Sequence, residues 1–405
     1  MENRRKIKHM ALIAAAVAVT SGTVILGTVS TDTAAGKRTV VTAEAAEGNT
    51  VQSGSCGKGA VYTLTADGTL RIAPKKGVRS AAMDHYTEKK TPWNDSKVRK
   101  IVISSGITSV GASAFKNAYA VRAVSLPDTL KQIEAEAFAD ADGLTEITVP
   151  DRVTSMGPSA FARCDGLRTV RLPQRLRVIP NTAFYACRSL TDVTVSSKLK
   201  KIGTYAFADC PSLQGWHTAA GKGTRGVLRL PNTVTSVGGM AFAWDRSFSS
   251  AVIPKNTSQI RSNSFYKCSR LRTVRIASGN RKYTSAGGVV FTKDKKTLVL
   301  YPAGRKGSYR VPAGTRTIGT AAFRGCSGLT GVKIPNSVTK ISADAFRFCG
   351  RMRGIRLSSR VKSIGSYALG TTSSGTMNLR FVLAAPAGSA GSRYADAYGL
   401  IWKKA

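Results

Sequence analysis

Three histidines occur in 405 residues, and carboxylates are scarce beside cations, with 22 Asp and Glu against 61 Lys and Arg. Past the N-terminal segment the histidines are His85 and His217, far apart in sequence, in irregular stretches and in no motif. A Ser-His-Asp or Cys-His centre needs a base held against its nucleophile, and nothing in the sequence supplies that pairing. HExxH, a nucleophile elbow, a P-loop and a dinucleotide fingerprint are also missing. The carboxylates, Glu134, Glu136, Asp140 and Asp142 among them, fall mostly at variable positions and read as solvated surface. Paired carboxylates of the glycosidase kind are the catalytic arrangement that sequence leaves open. The expectation is a protein that is not an enzyme, with no catalytic residue, no cofactor and no metal site.

Cysteine is missing ahead of Cys56, which excludes a lipid-modified cysteine just behind the N-terminal segment. Residues 1–45 place Arg4, Arg5, Lys6 and Lys8 before an uncharged apolar run from Met10 to Gly27, with small-residue cleavage patterns at Thr33-Ala34-Ala35 and Ala43-Glu44-Ala45. This is the layout of a secretory signal peptide. An uncleaved anchor is the alternative, because the run is nearly long enough to span a bilayer, although Thr20, Ser21, Gly22 and Thr23 dilute it. The C-terminal GLIWKKA has neither an apolar tail nor a wall-sorting motif. A secreted or surface-associated protein is expected, with no membrane insertion after signal removal.

Against these absences stands one recurrence, visible in GLRTVRLPQRLRVIPNTAFYAC (166–187). Phe115, Phe138, Phe161, Phe184 and Phe207 are spaced 23 residues apart, and Phe242, Phe265, Phe323, Phe346 and Leu369 continue the frame. The two longer gaps each exceed whole repeats by 12 residues. A fixed period of this length is the signature of a solenoid, whose units bury their apolar faces only against one another. Ahead of each phenylalanine an alternation such as Leu167-x-x-Val170-x-Leu172 or Leu329-x-x-Val332-x-Ile334 marks a half-buried strand, which Pro173 or Pro335 closes. A second short element carries inward residues such as Ile179, Ile202 and Ile341. The Ala-Phe segment that follows is expected to be a helical turn at the back of the coil.

The segments LTEITVPDRVTSMGPSAFARC (144–164) and LTGVKIPNSVTKISADAFRFC (329–349) resemble the BspA-like, or Treponema pallidum type, leucine-rich repeat family. SGSCGKGAVYTLTADGTLRI (53–72) with Pro92-Trp93 resembles its N-terminal cap, and GGVVFTKDKKTLVLYPAGRKGSYRVP (287–312) resembles a β-hairpin module inserted between its repeats. SAGSRYADAYGLIW (389–402) resembles a degenerate terminal cap. The resemblance covers nearly all of residues 50–405. It implies a leucine-rich repeat solenoid with a parallel β-sheet face and a small β-rich N-terminal cap. The division it suggests is a cap at 46–97, a solenoid at 98–378 with insertions near 213–225 and 277–307, and a C-terminal cap at 379–405. For function it implies an exported surface protein, some family members being adhesive toward host matrix proteins or other cells.

Six of the seven cysteines, Cys164, Cys187, Cys210, Cys268, Cys326 and Cys349, lie three residues after a repeat phenylalanine, and no CxxC pair exists. Ala118, Ala141 and Asp245 hold that position in other repeats. The pattern favours a stack of buried thiols over a metal site or a disulfide ladder, since free cysteine behaves as a small hydrophobe. Asp245 is the member this reading does not explain, and Cys56 has no obvious partner.

Neighbouring strand residues alternate faces, so the middle residue of each strand motif should point outward. Those residues are Val102, Ser125, Thr148, Arg171, Thr194, Arg229, Val252, Arg275, Arg310, Lys333 and Arg356, of which none is acidic. Arg171, Arg229, Arg275, Arg310, Lys333 and Arg356 are therefore the candidate ligand-binding residues, with Arg122, Arg168, Arg272 and Arg353 along their margin. At a net charge of +39, a row of evenly spaced cations suits a polyanion, and solubility alone is the competing reading. Nucleic acid would bind in a salt-dependent way, but export and the lack of interleaved aromatics argue against it. The expected function is a non-catalytic binding or adhesion module that engages anionic glycans, wall polymers, or host or bacterial surface proteins. A protein held electrostatically to its own envelope is the alternative. The insertions, around Gln214-Gly215-Trp216-His217 and near 287–301, are expected to be loops on one face.

Overall fold

Val170 sits in the short strand Thr169–Arg171, buried between two exposed neighbours. It lies level with Ile147 of Glu146–Thr148 on one side and Val193 of Asp192–Val195 on the other, all three strands running parallel. A three-residue strand has no hydrogen-bonding partner within its own repeat, so it exists only because the next turn of chain supplies one. The same row begins in Thr69–Pro74, Lys100–Ile103 and Ala123–Ser125. It continues through Val227–Arg229, Ser250–Ile253 and Thr273–Ile276, and ends in Gly354–Arg356, Val382–Ala385 and Ile401–Lys404. A second row has two residues per turn, as in Val178–Ile179 and Lys201–Ile202, each with its isoleucine inward. The computed structural model, a leucine-rich repeat solenoid with a parallel β face, describes residues 49–87, 90–93, 95–218, 221 and 223–405. The signal-peptide expectation lies outside the described residues.

The Ala-Phe side is not helical, contrary to the expectation from spacing. Residues two before and two after most of the phenylalanines are left-handed: Ser159 (φ 55°) and Arg163 (φ 58°) flank Phe161, and Thr182 (φ 56°) and Ala186 (φ 58°) flank Phe184, while at Phe265 only Lys267 is so. This conformation is unfavourable for residues with a Cβ. It is offset by stacking, because it turns alternate N–H groups toward the next turn of chain. The N–H groups of Ser159, Phe161 and Arg163 donate to the carbonyls of Asn181, Ala183 and Tyr185 at 3.1, 2.9 and 2.7 Å. A helical turn and this ladder both send one apolar residue inward per turn, so local pattern does not separate them. The hydrogen-bond partners, a full repeat away, do.

Inside the coil the rings of Trp93, Phe115, Phe138, Phe161, Phe184, Phe207, Phe242 and Phe265 stack with centroids 5.2–5.7 Å apart. A second stack, Tyr301, Phe323 and Phe346, has spacings of 4.7 and 4.6 Å. All seven cysteines are buried and unpaired. The thiols of Cys164, Cys187 and Cys210 donate to the carbonyls of Phe138, Phe161 and Phe184 in the preceding turns, at 3.0, 3.0 and 3.1 Å. Burial pushes the Cys187 thiol well above its ordinary pKa. Asp245, in the cysteine position, is equally buried. Its Oδ1 accepts from the N–H groups of Ser247 and Phe248 at 2.9 and 2.8 Å, while Oδ2 has no partner.

The insertion near 213–225 is not simply a loop. Gly215–Thr218 is a strand in register with Asp192–Val195, and buried Trp216 meets Phe207 and Phe242 edge-on at 5.3 and 5.6 Å. The first row thus gains a strand ahead of Val227–Arg229, whereas the second row passes directly from Lys201–Ile202 to Ser236–Val237. The later insertion does the converse. Tyr283–Ala286, Val289–Thr292 and Thr297–Leu300 form an antiparallel meander that joins the second row at Thr317–Ile318. The first row is broken there, between Thr273–Ile276 and Gly307–Arg310.

A helix, Ala390–Tyr398, lies at the C-terminal end of the coil, with Ser389 capping its start and left-handed Gly399 its end. Its Tyr394 hydroxyl accepts from the Leu369 N–H at 3.1 Å, and its Tyr398 hydroxyl accepts from the Tyr367 N–H at 3.3 Å. Among the described residues no helix is long and apolar enough to cross a membrane.

Candidate functional site

In the first row, inward apolar residues alternate with outward polar ones, and the outward positions form a line from turn to turn. Arg171, Arg229, Arg275, Arg310, Lys333 and Arg356 are all exposed strand residues on this line. Arg171 lies level with Thr148 and Thr194. Arg229 and Arg275 flank Val252, and Arg310 lies directly beside Lys333. Adjacent strands stand ~4.8 Å apart, so Arg310 and Lys333 are near neighbours while Arg229 and Arg275 are two rungs apart. Arg122, Arg168, Arg272 and Arg353 are exposed at the margin.

The structure adds three members that sequence reasoning missed. Arg71 is level with Val102, because the antiparallel N-terminal strands hand their last member to the first row. Lys403 is level with Ala384, itself level with Arg356. His217 is level with Thr194, in the strand that the insertion contributes. The signal was present for Arg71, since Leu70-Arg71-Ile72 repeats the strand motif without the phenylalanine that follows elsewhere.

Electrostatic partners are sparse on this face. Of the six candidates, Arg171 has an ion-pair partner among the described residues, Asp151 at 3.7 Å. Both groups are about half exposed, so that pair adds little stability. Other carboxylates are engaged elsewhere rather than merely solvated. Asp140 holds Arg163 through two bonds of 2.6 Å, and Asp344 accepts from both Arg324 and Arg347 at 3.2 Å.

Both described histidines sit against a carboxylate: His85 with Glu134 at 2.8 Å and His217 with Asp192 at 3.0 Å. His217 is therefore neither irregular nor unpartnered. Its Nδ1 accepts from the Gly223 N–H at 2.9 Å, so Nε2 carries the proton and donates to Asp192. Burial raises the Asp192 pKa, but hydrogen bonds from His217 and Thr191 outweigh it and hold the carboxyl below its usual range. With both ring nitrogens engaged, His217 fastens the inserted segment instead of presenting a free base. Among the described residues no group of three or more His, Cys, Asp or Glu is placed to hold a metal ion.

A family model described as BspA type leucine rich repeat region matches the chain in six copies, over residues 89–214, 226–297 and 307–381. Among solved structures, a leucine rich cell surface protein of Faecalibacterium prausnitzii is 22% identical, with 85% of this chain and 93% of that one covered at a TM-score of 0.61. A leucine-rich repeat protein of T. pallidum is 23% identical over 39% of this chain and 79% of its own, at a TM-score of 0.31. The pneumococcal vaccine antigen PcpA is 13% identical over 87% of this chain and 100% of its own, at a TM-score of 0.42. At 22% identity the likeness to the F. prausnitzii protein speaks to the fold alone. No curated protein matches the chain.

Proposed function

Because the chain belongs to the BspA-type leucine-rich repeat family, we propose that it is an exported, non-catalytic binding module that engages anionic polymers, or proteins with acidic faces, through the outward side of its first strand row. The observation that carries this reading is the line of cations itself. Arg229, Arg275, Arg310, Lys333 and Arg356 project from successive or near-successive rungs with no ion pair among the described residues, and the line contains no carboxylate. Charge repeated along a stiff scaffold suits the repeated charge of a polymer, and steers it to the surface before contact. The signal-peptide layout of residues 1–45 and the surface location of the F. prausnitzii relative both support a role outside the cell.

The test is binding of the purified protein to wall polymer, sulfated glycan, mucin, matrix protein and DNA, each at physiological and high salt. Selective, saturable binding to one of them that partly survives salt is expected. Replacing Arg229, Arg275, Arg310 and Arg356 by glutamine should weaken it by about tenfold, or ~1.4 kcal/mol. Equal binding to every polyanion, abolished by salt, would instead favour a protein held electrostatically to its own envelope.

A further inference from the structure

Between Thr273–Ile276 and Gly307–Arg310, where the meander parts the first row, there is a cleft of about 470 Å³ lined by Arg272, Thr273, Gly287, Gly304, Arg305 and Lys306. Three chain segments meet there: the start of strand Thr273–Ile276, the Gly287-Gly288 turn of the meander, and the stretch leading into strand Gly307–Arg310. No lining residue is acidic, and none of the three cations has an ion-pair partner among the described residues.

Arg305 is held in place before any ligand arrives. Its Nη1 donates to the Gly287 carbonyl at 2.8 Å, and its guanidinium lies 5.3 Å from the Tyr301 ring and 5.9 Å from the Tyr309 ring. One hydrogen bond uses one of five N–H groups, so a fixed fork of donors remains. Next to the lining Gly287, the turn itself favours a glycine. Gly288 is left-handed (φ 80°), and a Cβ there would come within 3.0 Å of Thr273 Cγ2. Its carbonyl accepts from the Val274 N–H at 2.9 Å, so the turn takes the place of a missing neighbour strand and leaves the space beside it open.

We propose that this cleft binds a single tetrahedral oxyanion, a sulfate or phosphate ester, presented by an acidic glycopolymer that otherwise runs along the cationic line. The inference rests on the polyanion reading above and deepens it. Arg272 and Thr273 line the cleft from one segment and Arg305 and Lys306 from another, so that two guanidinium groups and an ammonium face it from two sides, a three-dimensional donor set that suits three oxygens better than a flat carboxylate. The line supplies diffuse attraction along the polymer, and the cleft supplies a place where one group is seated.

The test uses the purified full chain with short and long probes. The short probes are a sulfated tetrasaccharide, its desulfated counterpart that keeps the carboxylates, and a polyol-phosphate tetramer; the long probe is the parent sulfated polymer. At physiological salt a 1:1 complex with the sulfated or the phosphorylated short probe is expected, and whichever binds more tightly identifies the source of the ester. Arg305→Gln should weaken that complex about tenfold or more, and Arg305→Lys should fall between it and the natural protein. The exposed pair Arg272→Gln/Lys306→Gln, which does not disturb the ring contacts, should give a comparable loss. Arg171→Gln/Arg356→Gln, away from the cleft, should leave the short complex within about twofold while weakening the long one. Equal binding of the desulfated probe, or insensitivity to both cleft variants, would overturn the proposal. If the long polymer binds through the line but no short probe binds, the cleft is wrong and the broader reading stands. If neither binds, both fail.

Discussion

Asp245 is a carboxyl in a place built for a thiol. Burial raises its pKa to about 7, and the hydrogen bonds from the Phe248 and Ser247 N–H groups only partly offset that. An unfolded aspartate titrates near ~3.9, so between about pH 4 and pH 7 the native state holds more protons than the unfolded one. Stability should therefore fall as pH rises through that window and level off above it. Asp245→Asn keeps an oxygen for the two N–H groups and removes the charge. Urea unfolding should find the variant and the natural protein alike near pH 4. At pH 8 the variant should be more stable by an amount on the order of a few kcal/mol. Parallel pH profiles for the two proteins would show that the carboxyl does not titrate across the folded state in this way.

At the scale of the element, the back of the coil is a ladder whose hydrogen bonds all point one way. N–H groups face the next turn, as Phe161 to Ala183 and Phe184 to Ala206 show, so the final turn must find acceptors elsewhere. Tyr394 provides one. Its hydroxyl accepts from the Leu369 N–H and donates to the Leu369 carbonyl at 3.2 Å. Tyr394→Phe keeps the ring and leaves a buried backbone donor unpaired, a change expected to cost about 1–3 kcal/mol. Hydrogen exchange should show the loss first in the last repeats, because contacts in a solenoid run only between neighbours. Uniform protection in the variant would mean that the helix covers the end by packing alone.

Across the whole molecule, 61 Lys and Arg stand against 22 Asp and Glu, so few carboxylates compensate the cations. Near physiological salt, screening acts over ~8 Å, so cations two or more rungs apart are largely shielded and repulsion is left mainly between adjacent ones such as Arg310 and Lys333. At low ionic strength their repulsion should be felt. Raising sodium chloride from about 20 mM to about 300 mM is expected to raise Tm by about 1–2 °C, equivalent to ~1 kcal/mol for a chain of this size. A fall in Tm would mean that pairs such as Arg163–Asp140 contribute more than repulsion costs. The two insertions also act at this scale. One adds a strand to the first row and the other adds strands to the second, and the second of them opens the basic cleft.

Period and apolar alternation are local properties, and they carried the solenoid, the inward phenylalanines, the buried cysteines and the outward places of Arg171 to Arg356 without any coordinates. Each of those follows from which face a residue must take when identical units stack. What lies between turns was not legible. The Ala-Phe segment reads as helical in sequence because its hydrogen-bond acceptors sit in the next repeat. His217 reads as irregular because its strand exists only against Asp192–Val195. Arg71 and Lys403 join the line through ladders with strands remote in sequence, and the Arg305 cleft depends on a missing rung. The sequence by itself determined what repeats; where the repetition is broken, the partners are non-local, and only the tertiary structure decided how the break is filled.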